Sequence, residues 1–367
     1  MKSISELTEL TNKRLLVRVD FNVPVDDEGV ITESYRISSA KETIEYLLSR
    51  GANVVLISHI TARQSFKQIM PQIQEILGRK IHLYPLAEEL LIEGENLVLL
   101  DNLRQDPREE ANDEAFAQEL AEDFDYYIND AFAVCHRAHA SVLAIAKFIP
   151  SYAGFLLEKE IKNLSEAVAA PVEGKVIILG GAKISTKLPV IQNFLDKAEK
   201  ILVGGAIANN FFKARGIDVG VSVVDDSVKE VPNSPKIILP KDILVSKDKQ
   251  TGTASELRDL SAEESILDIG PQTSHEFAMI IRNAKTVIWN GPMGMAEIET
   301  FAEGTQAVAD AVAKVTTSII GGGDTIVAVS GMLDRFTFVS TGGGAMLEFL
   351  AGNRLPGLEA LGYYKHD

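Results

Sequence analysis

Ten short runs in this chain are apolar almost end to end, and strands of that kind are stable only in parallel sheets covered on both faces. They are Arg14–Asp20, Asn53–Ser58, Leu97–Asp101, Tyr126–Asn129, Lys175–Gly180, Lys200–Gly204, Lys236–Leu239, Thr286–Trp289, Thr317–Ile320 and Phe336–Ser340. Stretches with helical spacing lie between them. Ala40–Arg50 puts Ala40, Ile44, Leu47 and Leu48 on one stripe, and Glu114–Phe124 spaces Phe116, Leu120 and Phe124 four apart. Alternation of the two patterns predicts an α/β fold of doubly wound parallel sheets. At 367 residues the chain is long for one core and suits two domains. A Pro/Gly break, Phe148-Ile-Pro-Ser-Tyr-Ala-Gly154, precedes a helical pattern from Phe155 to Leu164. The expected organisation is therefore a first domain over 1–153, an interdomain helix over 154–166 with a hinge, and a second domain over 167–350. A tail over 351–367 follows; its Leu355, Leu358 and Leu361 need a surface, which we expect on the first domain.

Hydrophobic residues make up 46% of the chain, enough for two packed cores. A net charge of −16 argues against nucleic acid or an anionic membrane as partner. The single cysteine, Cys135, permits no internal disulfide and points to a reducing compartment. Neither a secretory leader nor an apolar run near the ~18–20 residues that cross a bilayer is visible. The expectation is a soluble, cytoplasmic monomer.

Function is most legible in Lys175-Val-Ile-Ile-Leu-Gly-Gly-Ala-Lys-Ile-Ser-Thr-Lys187. An apolar strand ends in Gly180-Gly181, where backbone can approach an anion closely. Lys183 and Lys187 then fall four apart, on one face of any helix beginning there. The Walker A spacing is absent, and an ordinary strand-to-helix turn with two solvated lysines would look the same. Further glycine turns follow other strands of this half: Gly204-Gly205-Ala206, Trp289-Asn290-Gly291-Pro292-Met-Gly294, Gly321-Gly322-Gly323-Asp324-Thr325 and Ser340-Thr-Gly342-Gly343-Gly344. Repetition of the device implies backbone held open around phosphates. Asp324 is a candidate Mg²⁺ ligand or, equally, a helix N-cap.

The first half concentrates cations where its strands end. Arg18, Asp20 and Asn22 close the first run, with Arg36 after them; Ser58-His59 closes the second, with Arg63 four residues on. Arg104 closes the third, and His136-Arg137-Ala-His139 follows the fourth. Strand ends of this kind form the ligand crevice of an open parallel sheet, and arginines there suit a small, highly anionic substrate. His136 and His139 share i, i+3 spacing, but no third metal ligand is evident.

Taken together these segments resemble phosphoglycerate kinase over nearly the whole chain. The resemblance rests on Arg18-Val-Asp-Phe-Asn-Val-Pro24, Asn129-Asp-Ala-Phe, His136-Arg-Ala-His-Ala-Ser141, Gly180-Gly-Ala-Lys183, Asp268-Ile-Gly-Pro271, Trp289-Asn-Gly-Pro-Met-Gly294, Gly321-Gly-Gly-Asp-Thr325 and Ser340-Thr-Gly-Gly-Gly-Ala345. It implies phosphoryl transfer from 1,3-bisphosphoglycerate to MgADP, giving 3-phosphoglycerate and MgATP. It implies that Asp20, Asn22, Arg36, His59, Arg63, Arg104 and Arg137 bind the glycerate. Gly181, Lys183, Lys187, Gly205, Asn290, Pro292, Glu297, Gly322, Gly323, Asp324 and Thr325 would surround the nucleotide, with Glu297 on the ribose hydroxyls and Asp324 on Mg²⁺. Lys183 and Arg36 would act on the transferring group.

The chain departs from the family pattern in places. The usual Ser-His-Leu-Gly-Arg-Pro reads Ser58-His-Ile-Thr-Ala-Arg63, so Thr61 replaces a glycine and the arginine is displaced by one position. Gln105 stands where an aromatic residue is usual, and the stretch between Lys213 and Leu267 is short, as if a peripheral element were lost. The altered segment is the one feature favouring an alternative, a non-catalytic nucleotide- or phosphate-binding descendant. A dinucleotide-dependent oxidoreductase would need a G-x-G-x-x-G turn with an acidic residue ~20 positions on, and none is present.

Overall fold

The computed structural model describes residues 1–86 and 96–364. Its chain divides into two compact units, Met1–Lys162 with Arg354–Asp367, and Asn163–Asn353. The helix Phe155–Ala169 carries the chain from one to the other.

In the first unit, β1 (Arg14–Arg18), β2 (Asn53–Ile57), β3 (His82–Tyr84), β4 (Leu97–Leu100), β5 (Tyr126–Asn129) and β6 (Ser151–Ala153) form one parallel sheet in the order β3-β4-β2-β1-β5-β6. The end-to-end apolar strands have a direct explanation here. Leu15, Val17, Val54, Leu56, Leu97, Leu99 and Ile128 face one core, while Leu16, Val55, Ile57, Val98, Leu100 and Tyr127 face the other. Successive residues point to opposite faces, so a strand covered on both sides has no polar position to give away. The helix Lys41–Ser49 buries Ile44 and Leu47 on the first of these cores. The helix Glu114–Ala121 buries Phe116 and Leu120 on the second. Both β3 and β6, three residues each and half-buried for the most part, escape the apolar-run criterion because they are sheet edges.

The tail docks on this unit. Leu355, Leu358 and Leu361 are buried, and the Gly357 N–H donates to the Cys135 carbonyl at 2.9 Å. The last three residues of the tail, 365–367, lie outside the described residues.

The second unit contains β7 (Lys175–Leu179), β8 (Lys200–Val203), β9 (Ile237–Ile238), β10 (Asp242–Ser246), β11 (Thr253–Glu256), β12 (Ser265–Ile269), β13 (Thr286–Asn290), β14 (Thr317–Gly321) and β15 (Phe338–Ser340). Six of them make a parallel sheet in the order β15-β14-β13-β7-β8-β9, and β11-β10-β12 form a separate antiparallel sheet. That second sheet goes beyond the expectation of parallel sheets alone. β11, Thr-Ala-Ser-Glu, is mostly exposed and reads as loop. Its hairpin is set by Asp248, whose carboxylate accepts from Gln250 and Thr251 N–H at 2.8 Å each, with Lys249 in the left-handed region. Both large sheets reverse their strand order beside the first strand of the unit, β1 in one and β7 in the other, and ligands of open α/β sheets bind at such points. Among the described residues no helix is long and apolar enough to cross a membrane.

Candidate active site

At the carboxyl ends of β1, β2 and β4 the first unit assembles a hydrogen-bonded cationic crevice. Arg36 donates to the Asn22 carbonyl at 2.7 Å and pairs with the Asp20 carboxylate at 3.3 Å. The Asn22 side-chain oxygen accepts from the Thr61 N–H at 2.9 Å, and the Thr61 hydroxyl accepts from Arg104 Nη1 at 3.1 Å. Arg104, Thr61, Asn22 and Arg36 are thus linked hand to hand across three strand ends. Asn102 holds the intervening loop in shape by accepting from the Ile60 N–H and donating to the Ile60 carbonyl.

His59 is buried behind this line. Arg18 Nη2 lies 3.1 Å from its Nδ1. A guanidinium can only donate, so Nδ1 accepts and the ring proton sits on Nε2. Burial drives the imidazole pKa well below its ordinary value, and the charges of Arg18, Arg104 and Arg137 push the same way. His59 is therefore a neutral donor. Arg18 itself is buried and donates to the Ser141 hydroxyl at 3.1 Å, which in turn donates to Glu109 at 2.6 Å. Glu109 is a buried counter-charge that sequence reasoning missed, for nothing distinguishes it within the acidic run Asp106–Glu110. Arg104 is held below its usual pKa by burial first, with Arg137 and Arg18 adding to the effect against Glu110 and Glu109. Like charges gathered this closely are unfavourable until an anion arrives among them.

Arg63 stands apart from that line of contacts. Nε donates to Gln68 at 3.2 Å, Nη1 to its neighbour's carbonyl on Ala62 at 2.8 Å, and Nη2 to the Asp26 carbonyl. Each of its three nitrogens thus makes one bond, none of them to a residue of that line.

In the second unit a cavity of about 550 Å³ opens where β7 and β13 end. Gly181, Gly205, Pro292, Glu297 and Asp324 all line it. Three strand ends meet there by backbone contact: Gly180 N–H donates to Asn290 O, Gly181 N–H to Pro292 O and Gly205 N–H to Met293 O. A Cβ on Gly180 would stand 2.0 Å from the Pro292 carbonyl oxygen, so no other residue fits. These glycines shape the wall, and their N–H groups are already used. The turn after β14 differs. Gly322 takes φ +100°, and Gly323 has open space where a side chain would stand. Thr325 is buried, its hydroxyl accepting from the Gly291 N–H at 2.8 Å, so it ties the two turns together. Asn290 is buried beside Gly322.

Lys183 is the exposed residue that begins the helix Ile184–Phe194, and Lys187 lies one turn further on, half-buried. Burial lowers the Lys187 pKa, Lys183 adds to the fall, and Asp324 opposes it. Asp324 is exposed on the first turn of the helix Gly323–Ala328. No group of three or more His, Cys, Asp or Glu that could hold a metal ion forms among the described residues. One carboxylate beside a lysine still fits Mg²⁺, which usually keeps waters and phosphate oxygens as its remaining ligands.

The rest of the cavity is apolar, with Ala208, Phe212, Val223, Pro240, Ile243, Ile266, Met293 and Val327 among its walls. Several of these belong to the stretch between Lys213 and Leu267, so what remains of that shortened stretch takes part in the site. Asp268 is the one buried carboxylate in the lining, accepting from Gly304 N–H and Ile269 N–H at 2.8 Å each. Burial pushes it up to about 7 against those two bonds.

The family model described as Phosphoglycerate kinase matches residues 4–353. The phosphoglycerate kinase of Moorella thermoacetica is 43% identical, with 96% of this chain and 97% of that protein covered. The crystal structure of phosphoglycerate kinase from Pyrococcus horikoshii superposes with a TM-score of 0.89 at 31% identity, covering 99% of this chain and 98% of that one. The enzyme structure from Coxiella burnetii gives 0.81 at 35%, with 98% of each chain covered. The chain belongs to the phosphoglycerate kinase family, whose reaction, phosphoryl transfer between 1,3-bisphosphoglycerate with ADP and 3-phosphoglycerate with ATP, is the reaction it catalyses.

Proposed function

We propose that the two units divide the substrates of this reaction between them. Arg36, Arg104, Arg137, His59, Asn22 and Asp20 hold 3-phosphoglycerate or 1,3-bisphosphoglycerate in the first unit. The cavity of the second holds ADP or ATP, its apolar wall taking the base, Glu297 the ribose hydroxyls, and Lys187 with the Gly322–Thr325 turn the phosphates. Asp324 would hold Mg²⁺, which when bound supplies charge neutralisation at the nucleotide phosphates. The observation that supports this most strongly is a single cavity carrying Glu297, Asp324 and a long apolar wall together.

The chemistry asks little of the protein beyond position and charge. The acceptor is an ionised carboxylate or phosphate, so no general base is needed. Arg36 and Lys183 neutralise charge on the transferring group, and neutral His59 donates without adding repulsion among the arginines. A partly desolvated Lys187 gains more from a phosphate than a solvated lysine would. Steady-state rates with each substrate varied test the division. Arg104→Ala is expected to raise KM for 3-phosphoglycerate about ten- to a hundredfold and leave KM for ATP within about twofold; Glu297→Ala is expected to do the reverse, more weakly. Equal effects of either variant on both KM values would refute it.

A further inference from the structure

Thr61 touches two members of the crevice from different strands without having been assigned to it. Its N–H donates to Asn22 Oδ1 at 2.9 Å and its hydroxyl accepts from Arg104 Nη1 at 3.1 Å. Arg104 Nε lies 3.1 Å from the Glu110 carboxylate as an ion pair, and neither Nε nor Nη2, both buried, has a hydrogen-bond partner among the described residues. Thr61 on Nη1 and the Glu110 carboxylate beside Nε thus bracket the guanidinium from two sides, with Nη2 between them left without a partner among the described residues. A free guanidinium samples many rotamers, and one already fixed gives up less freedom on binding. Arg63, two residues further along the same loop, makes no hydrogen bond to Arg104 or Asn22 among the described residues; its side chain bonds instead to Gln68, Ala62 and Asp26.

We propose that Thr61 is a positioning residue of the 3-phosphoglycerate site: its hydroxyl orients Arg104 toward the substrate's anionic groups, and its N–H locks Asn22 beside it. The inference rests on the assignment of the crevice to 3-phosphoglycerate given above. A side chain at this position does what glycine could not, since glycine offers the N–H but no hydroxyl. The position therefore couples the first strand end to the third through one residue of the second.

Thr61→Val keeps the β-branched shape and removes the acceptor, whereas Thr61→Ser keeps the acceptor. Initial rates with MgATP and 3-phosphoglycerate, each varied in turn, separate the two substrates. Thr61→Val is expected to raise KM for 3-phosphoglycerate roughly five- to fiftyfold with KM for ATP within about twofold, and Thr61→Ser to stay within about threefold of the parent. Should Thr61→Val fail to fold by circular dichroism, Thr61→Ala is read in its place. A KM for 3-phosphoglycerate unchanged in Thr61→Val, or both KM values rising together, overturns the role of Thr61. Arg104→Ala with unchanged KM for 3-phosphoglycerate overturns the crevice assignment itself, and with it this inference. An impaired Arg104→Ala beside an unaffected Thr61→Val removes the role of Thr61 alone.

Discussion

In the proposed division of substrates the two half-sites answer the same problem, holding a multiply charged phosphate compound, with opposite materials. The first unit uses side chains: four arginines, a neutral histidine and a lattice of hydrogen bonds running through Asn22, Thr61 and Asn102. The second uses backbone, with Gly180, Gly181 and Gly205 packed against Asn290, Pro292 and Met293 to frame an apolar wall. A small polar substrate offers little to bury, so its affinity must come from charge-assisted contacts. A nucleotide has a base and a sugar to desolvate, and few cations suffice for its phosphates. The comparison explains why substitutions should act on different quantities in the two places: on orientation of cations in one, on wall shape and on one exposed cation in the other.

Lys183→Ala is the strongest way to test that contrast. Lys183 is exposed at a helix start and lacks the lattice that fixes the arginines. We expect its charge to matter in the transition state more than in nucleotide binding, so kcat should fall on the order of 10³-fold with KM for ATP changed little. A kcat within about tenfold of the parent would place the chemistry's charge stabilisation wholly on the arginine side.

Buried titrating groups sharpen the comparison with pH. His59 is held neutral in the folded crevice while the unfolded chain protonates it near its ordinary 6.5. Its folded pKa is depressed, so below pH 6.5 the unfolded state binds more protons and stability falls with acid. Asp268 behaves oppositely: its folded pKa is raised to about 7 from 3.8. Between those values the folded state binds more protons, so stability falls as pH rises from about 4 to about 7. Denaturant melts should show His59→Gln gaining on the parent as pH drops below 6.5. Asp268→Asn should gain on it as pH rises from about 4 to about 7, on the order of 1–3 kcal/mol. Parallel curves for parent and variant would remove the corresponding group from this account.

The smallest effect is expected at Arg63. Its contacts tie the loop after β2 to the Asp26 carbonyl, so Arg63→Ala should cost about 1 kcal/mol of stability and change KM for 3-phosphoglycerate less than about threefold. A tenfold rise would show that this guanidinium leaves its loop to meet the substrate, and would make the first half-site less pre-formed than described.

Much of this was written in the sequence because strand burial on two faces and glycine at closed strand ends both leave a local trace. The apolar runs located the central strands to within a residue or two, and His59, Arg104 and Asp324 stand close after strand ends, while Arg36 and Lys187 lie in the helices Tyr35–Ser39 and Ile184–Phe194. The amino-acid order could not show which donors would already be occupied. Gly181 and Gly205 read as open backbone, yet their N–H groups bond to Pro292 and Met293. Arg63 read as a displaced substrate ligand, and in the folded chain its side chain bonds to Ala62, Gln68 and the distant Asp26 carbonyl, contacts with no local trace. Glu109, Asn102 and the walls contributed by β10 and β12 carried no signal, because their roles depend on partners tens of residues away. Local pattern fixes which face of a strand or helix is buried, since that depends on neighbours two to four residues off. Which hydrogen-bonding group is left free for a ligand depends on long-range pairing, and only the assembled tertiary structure decides it.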